Sequence, residues 1–543
     1  MNFKKLPIYA MTCFLLWGAA SCESPLKDFN LVISTEVFNN TATLQVRDAN
    51  NNPVNNVTIK LLSGDTEDIY NLDGYKDFKL VGDLVTFAVD PKRVPTVENP
   101  INFRVEISGA GFLTKVVPVT IANVSTGIIP VQLIKPTEIP DGLEVIEEVV
   151  GLAPNGSLPV ATTITLENPA GEDKVKIDIT LPAGLQFQDE NGAVITGGAL
   201  TANVSAMDVN DPDALLSFPG GSLLAEGVVG PNGVEQSGAF NPAATTVIKM
   251  SVGGKSVRRF SQPIQIAMQV SPDFIDANTG QPVVAGTELS IYSYDETDPA
   301  SVWQYEKNAT VTGNAQTGFA LNFAIDHLTT FVAGNFVASC ESVSRVTFNA
   351  DWMDEGFTLP IIISVEQFGK PLSTGVYSIS KDANTVALTN VPNGGGVEIA
   401  VYTHVGVLIE RAPVAACGVA TIFNLPNPNP EPKVTLQLYV RCPGQADVLT
   451  ILPTFELQYR VVGTNNWEYL GQVTNGFLQT AILKSDGTRY DFRAIWNNRV
   501  KIVNNKTVEE DNSGTVGIGN NDIIGERAGA TNLAILTEEC GKL

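Results

Sequence analysis

Histidine is almost absent from this chain of 543 residues: His327 and His404 are the only two. That scarcity removes the commonest general base and the commonest metal ligand from most of the molecule. There is no His-Glu-x-x-His zinc helix, no Gly-x-Ser-x-Gly nucleophile elbow and no phosphate-cradling glycine loop. Basic residues are few as well, 34 Lys and Arg against 58 Asp and Glu, for a net charge of −24. Phosphate backbones repel such a chain, so nucleic acid is excluded as a partner. After the first 21 residues no stretch approaches 18 uninterrupted apolar residues, so no later helical membrane span is expected. No long segment keeps a helical period, and none of the cysteines stands in a Cys-x-x-Cys spacing.

What the sequence does hold begins at the N-terminus. Lys4 and Lys5 precede an apolar run from Leu6 to Ala20 that includes Phe14, Leu15, Leu16 and Trp17. It is too short for a comfortable span and has the flanks of a secretory signal. Ala19-Ala20-Ser21-Cys22 closes it and resembles a bacterial lipobox. The resemblance implies cleavage before Cys22 and acylation of that residue, hence membrane attachment through a lipid anchor. Loss of Lys4 and Lys5 with the signal takes the charge near −26. This surplus of acid fits solubility in a crowded exterior, or cation binding.

With Cys13 removed and Cys22 lipidated, Cys340, Cys417, Cys442 and Cys540 remain. An even number in an exported chain points to disulfides, and four cysteines allow three pairings. Cys340–Cys417 and Cys442–Cys540 are expected, because each closes one module.

Period-two alternation recurs along the chain. Thr43–Arg47, Val57–Leu61, Val175–Leu181 and Val434–Val440 all read as strands with one buried and one wet face. Asn-rich turns, 47 glycines and 32 prolines punctuate them. The best short helical stretch, Asp211 to Leu224, is interrupted by Pro219-Gly220-Gly221. The fold class is therefore all-β, as tandem antiparallel β-sandwiches. Composition divides the chain into a signal (1–21), a tether (22–29), a sandwich (30–134), a larger β module (141–336), a sandwich (337–424) and a C-terminal sandwich (433–543). Lys135–Pro140 is one linker. Leu425–Pro432, with alternate prolines, is the clearest, an extended spacer.

The run Leu44-Gln45-Val46-Arg47-Asp48-Ala49-Asn50-Asn51-Asn52-Pro53-Val54, with a strand following at Val57, resembles the start of carboxypeptidase-regulatory-like and bacterial Ig-like domains. Those are structural or adhesive accessories. Together with the lipobox, the tandem sandwiches resemble an outer-membrane lipoprotein of the Bacteroidota type. Such proteins often carry an acidic run after the Cys; here Glu23 and Asp28 flank Lys27, which leaves the leaflet open.

Three acidic clusters stand out. Asp208, Asn210, Asp211 and Asp213 share one loop; Asp273, Asp276 and Asn278 another; Asp295, Glu296 and Asp298 a third. Calcium takes several such oxygens. The first loop is not an EF-hand, because Asp213 stands where glycine is required and Pro219 where the closing glutamate belongs. Ordinary turns use the same residues, and paired carboxylates of glycoside hydrolysis remain a third reading. Trp303, Trp352, Trp467 and Trp496 suit either sandwich cores or sugar stacking, with the core favoured. His327 reads as a histidine at a strand edge. No catalytic set is recognised. The expected role is binding or structural, of the adhesion or scaffold type, with an unknown protein or glycan ligand. The alternatives are glycan capture for an outer-membrane uptake system and a carbohydrate-active hydrolase using carboxylates of module 141–336, which is also the expected site of any binding.

Overall fold

The computed structural model describes residues 31–34 and 40–515, apart from short stretches at 49, 51, 73, 97, 113, 123–127, 136–141, 169–174, 216, 220–222, 296–301, 315, 317, 341–342, 355, 393, 428–433, 442–448, 453–454, 475 and 497–498. Cys22, Cys442 and Cys540 fall outside them.

Alternating apolar side chains become strands throughout, and the fold is all-β with multiple antiparallel sheets. The alternating segments noted above form Thr41–Asp48, Val57–Gly64, Lys176–Leu181 and Val434–Arg441. Of the helical stretch only Pro212–Leu215 is α-helix. The Asn-rich segment after Asp48 is a turn: Asp48 Oδ1 accepts the backbone N–H of Asn50 at 3.0 Å and of Asn52 at 2.8 Å. Asn56 then takes a left-handed φ of 57° before the next strand, a conformation Asn tolerates well.

Sheet pairing joins segments distant in sequence. One eight-stranded sheet combines Ile128–Leu133, Thr41–Asp48, Leu84–Val89 and Ile69–Tyr70 with Lys370–Ser380, Thr358–Gln367, Val397–Thr403 and Leu408–Pro413. Its two halves meet where Val376 pairs Ile128. A thirteen-stranded sheet carries strands from Leu143–Val150 to Thr330–Ala338. Leu31–Ser34 lies parallel to Leu449–Leu452.

Four large cores lie between these sheets. Ala42, Phe87, Phe103 and Leu133 belong to the first, and the face of Ala202, Val204, Ile248 and Phe331 to the second. The third takes Phe218, Phe240 and Trp303 together with Phe348, Phe357 and Phe423 from beyond residue 337. The fourth surrounds Leu436, Leu457 and Phe492. Trp303 is 2% exposed, with the rings of Phe240, Tyr294 and Phe218 centred 4.9, 5.0 and 5.7 Å away. Aromatic clusters of this kind add about 0.5–1.5 kcal/mol per pair beyond area burial.

A buried ion pair links the early and late segments. Asp83, 1% exposed, accepts from Arg47 Nε at 2.8 Å, Gln45 Nε2 at 3.0 Å and Arg493 Nη2 at 2.6 Å. Burial opposes ionisation of Asp83, but Arg493 and Arg47 together hold its carboxyl below the ordinary range.

Candidate functional site

The acidic loops around Asp208 and Asp276 are turns. Asp208 Oδ1 accepts the N–H of Asn210 at 2.8 Å, and the Asp208 N–H donates to Gly142 O at 2.6 Å. Asp211 stands before the short helix and its carbonyl accepts the Leu215 N–H at 3.1 Å. Gly142 fits beside Asp211 only as glycine: its φ is +74°, and a Cβ there meets Asp211 Oδ2 at 2.7 Å. The Asp213 side chain lies outside the described residues. Asp276 is buried and accepts from Asn335 Nδ2 at 2.9 Å, Thr279 Oγ1 at 3.1 Å and the Asn278 N–H at 3.1 Å. Asp295 approaches Arg258 at 3.8 Å, while Glu296 and Asp298 lie outside the described residues. Among the described residues no group of three or more His, Cys, Asp or Glu could hold a metal ion. A disulfide joins Cys340 to Cys417, with Cα atoms 5.7 Å apart.

His327 ends the strand Gly318–His327. Its Nε2 lies 3.4 Å from Glu306 Oε1 and its Nδ1 3.1 Å from Asp326 Oδ1. Hydrogen bonding to Glu306, against the effect of burial, raises the imidazole above its ordinary value. Ser293 Oγ donates to Glu306 Oε1 at 2.6 Å rather than to the imidazole. Ser293 therefore lacks the imidazole acceptor of a Ser–His–Asp triad.

The tryptophans are engaged. Trp303 is core, Trp352 donates its indole N–H to Leu425 O at 2.8 Å, and Trp467 has Arg460 and Arg493 at 4.6 and 5.0 Å from its ring centroid. The side chain of Trp496 lies outside the described residues.

A cavity of about 320 Å³ opens between the strands Lys115–Ile121 and Ile128–Leu133 on one side and the thirteen-stranded sheet on the other. Strand geometry explains it. In Leu200–Met207 the even residues Ala202, Val204 and Ala206 bury into the second core. The odd residues Asn203, Ser205 and Met207 face the other way and line the cavity. Register places Met207 beside Leu143, Ser205 beside Val145 and Val247, and Asn203 beside Lys249. Val116, Ile134 and Phe218 complete a mostly apolar wall. Among the described residues its charged lining side chains are Lys115 and Lys249, with no Asp, Glu or His. Ser217 Oγ donates to Gln132 Oε1 at 2.9 Å, both residues 8% exposed. Arg104 Nη2 donates to the hydroxyl of lining Tyr294 at 2.5 Å.

Sequence reasoning missed this site because it is built from both sides of residue 141. One trace is visible: the outer face of Leu200–Met207 carries Thr, Asn, Ser and Met with no charge, unusual for a wet face in so acidic a chain.

No protein-family model matches the chain, and no curated protein matches it. Among solved structures the Bacillus anthracis TIE protein aligns with 68% of this chain and 74% of that one, at 11% identity and a TM-score of 0.12. That likeness is too slight to bear on function.

Proposed function

We propose that this chain is an exported protein, held to a bacterial outer membrane by a lipid on Cys22, that works by binding rather than by catalysis. The observation that carries the reading is the cavity. Its size is that of a small-molecule site, and its wall is apolar with a few polar groups, the ordinary make-up of such sites. General acid–base work needs positioned titratable pairs, and among the described residues no Asp, Glu or His lines this wall. His327 lies between Asp326 and Glu306, and Ser293 donates to Glu306 rather than to the imidazole. Binding needs only a presented surface on a rigid scaffold, which the sheets supply. Glycan capture draws no support from Trp303, Trp352 or Trp467, whose rings are buried, bonded or covered by guanidinium groups.

Two measurements test the reading. Acyl chains contribute about 0.8 kcal/mol per buried methylene, and two or more give stable anchoring. Cys22→Ala is therefore expected to abolish lipid labelling and membrane retention; unchanged partitioning removes the anchor from the proposal. Native mass spectrometry of the mature chain, purified from its own envelope, is expected to show a bound small molecule that Ser205→Trp displaces. Turnover of a polysaccharide, peptide or ester that vanishes when one carboxylate is replaced makes the protein an enzyme instead.

A further inference from the structure

A buried carboxyl sits where three parts of the chain converge. The sheet of Glu468–Val473, Phe455–Val461, Tyr490–Trp496 and Arg499–Lys506 has two unlike faces. Leu457, Tyr459, Leu470 and Phe492 point into the fourth core. Alternation turns Glu456, Gln458, Tyr469, Gln472 and Arg493 to the other face. That face is polar, yet Glu456, Gln458, Tyr469 and Arg493 are all buried. Arg493 reaches Asp83, and Tyr469 packs in a small apolar cluster with Val81, Leu84, Ile128 and Val376. Val376 and Ile128 are the pair at which the two halves of the eight-stranded sheet meet. Tyr469 therefore caps the seam of that sheet, and Glu456 stands directly behind it. We infer that Glu456 is a proton-operated latch on this joint: protonated, it holds Tyr469 over the seam, and ionised, it lets the seam open.

Glu456 is 3% exposed, and both of its bonding partners are neutral. The Tyr469 hydroxyl donates to Oε2 at 2.6 Å and Gln472 Nε2 to Oε1 at 3.1 Å. The charged groups around it are taken by others. Arg493 gives Nε to Gln458 and Nη2 to Asp83, Arg47 also pairs with Asp83, and Arg460 pairs with Asp491. Glu468 accepts from Tyr459, and Glu366 of the neighbouring strand accepts from Tyr402 and Arg411. Register sets Arg499 and Lys501 on the opposite face of the sheet from Glu456, and Tyr377 packs against the third core. A buried carboxylate without a counter-charge is far more costly than a buried carboxylic acid. Burial accordingly pushes the Glu456 carboxyl above its ordinary 4.5, against its two hydrogen bonds. Its contribution is therefore complete below pH 4.5 and lost as pH rises through the folded value. Two neighbours act with the opposite sign. Against burial, Arg493 and Arg47 hold Asp83 below 3.8, so that pair fails only in stronger acid. His404, lowered by burial near Glu468, is folded in its neutral form and gains as pH rises. Loosening of the joint toward higher pH is thus the mark of Glu456.

Hydrogen exchange of the mature chain from pH 5 to 7.5, read by mass spectrometry of its peptides, tests the latch below the range in which Lys370 titrates. Peptides covering Leu84–Val89, Ile128–Leu133 and Glu468–Val473 are expected to open more as pH rises. For one proton the gain approaches about tenfold per pH unit above the folded value, beyond the ordinary pH dependence of amide exchange. Lys176–Leu181, in the thirteen-stranded sheet, is the internal reference and is expected to stay flat. Glu456→Gln, a neutral stand-in for the protonated acid, is expected to keep the joint closed at pH 7.5 and to remove the extra dependence. Equal protection of the joint at pH 5 and 7.5 in the parent overturns the inference. So does a folded Glu456→Gln variant that opens with pH as the parent does. Infrared spectra of the unmodified chain serve if the variant does not fold. A carboxylic-acid carbonyl band is expected to fade over the pH range in which the joint opens, and opening without such a band removes Glu456 as the latch.

Discussion

Replacing Lys370 by methionine probes an unusual feature of the packing. Lys370 follows the turn Phe368-Gly369, whose left-handed φ values of 51° and 82° fold Thr358–Gln367 back onto Lys370–Ser380. The turn carries its ammonium against the larger module: Nζ is buried, without a hydrogen-bond partner among the described residues, and 5.8 Å from the Phe274 ring centroid. Burial lowers this ammonium from 10.5 to about 8, against the attraction of Asp208 and Asp273. A gap of about 2.5 between the two values corresponds to about 3 kcal/mol acting against the folded state when the amine is charged. The unfolded chain keeps the proton up to about pH 10.5 while the folded chain releases it near 8. Across that window the unfolded state binds more protons, so stability rises with pH; below pH 8 the full penalty is present. Methionine keeps the aliphatic stem and removes the charge. Lys370→Met is therefore expected to be more stable than the parent at pH 7, by up to about 3 kcal/mol, with an advantage that shrinks toward zero by pH 10.5. Urea unfolding of both proteins at pH 7, 8, 9 and 10 measures it. A variant less stable than the parent at pH 7, or an advantage that does not fall across that range, refutes the reasoning.

Three other outcomes are expected. Asp83→Ala leaves Arg493 and Arg47 without their buried carboxylate and should cost about 3–5 kcal/mol in urea unfolding. Because folding lowers the Asp83 carboxyl below its ordinary 3.8, the parent should lose this stability as pH falls through and below that value; an Asp83→Ala variant as stable as the parent at pH 7 contradicts the pairing. The two histidines should separate by NMR titration: His327 above 6.5, through its bond to Glu306, and His404 below it, through burial. The His327 contribution to stability is then complete below pH 6.5 and lost as pH rises through its folded value, and Glu306→Gln should bring His327 down; an unmoved His327 removes Glu306 as the cause. Peptide mapping without reduction should recover Cys340 joined to Cys417, and Cys340→Ser should cost roughly 4–5 kcal/mol in the chain-entropy model, whereas a Cys417–Cys442 cross-link would redraw the pairing.

Much about this protein was determined locally. Period-two alternation depends on neighbouring residues alone, so strands such as Thr41–Asp48 and Val434–Arg441 and the turn after Asp48 were readable from the chain. So was the character of the acidic loops at Asp208 and Asp276, because Asp and Asn beside backbone N–H groups form turns whatever surrounds them. Tertiary structure decided which strands became neighbours. Alternation says that a strand has a buried face, and not what covers it. Leu31–Ser34 pairs Leu449–Leu452, and Arg493 reaches Asp83, across more than 400 residues. The outer face of Leu200–Met207 shows only a lack of charge until Lys115–Ile121 is laid opposite it. Lys370 reads as a solvated hairpin lysine until its turn meets Phe274. The cavity and the buried ammonium belong to surfaces brought together by folding. Complementarity between distant faces leaves no periodic signal in either one.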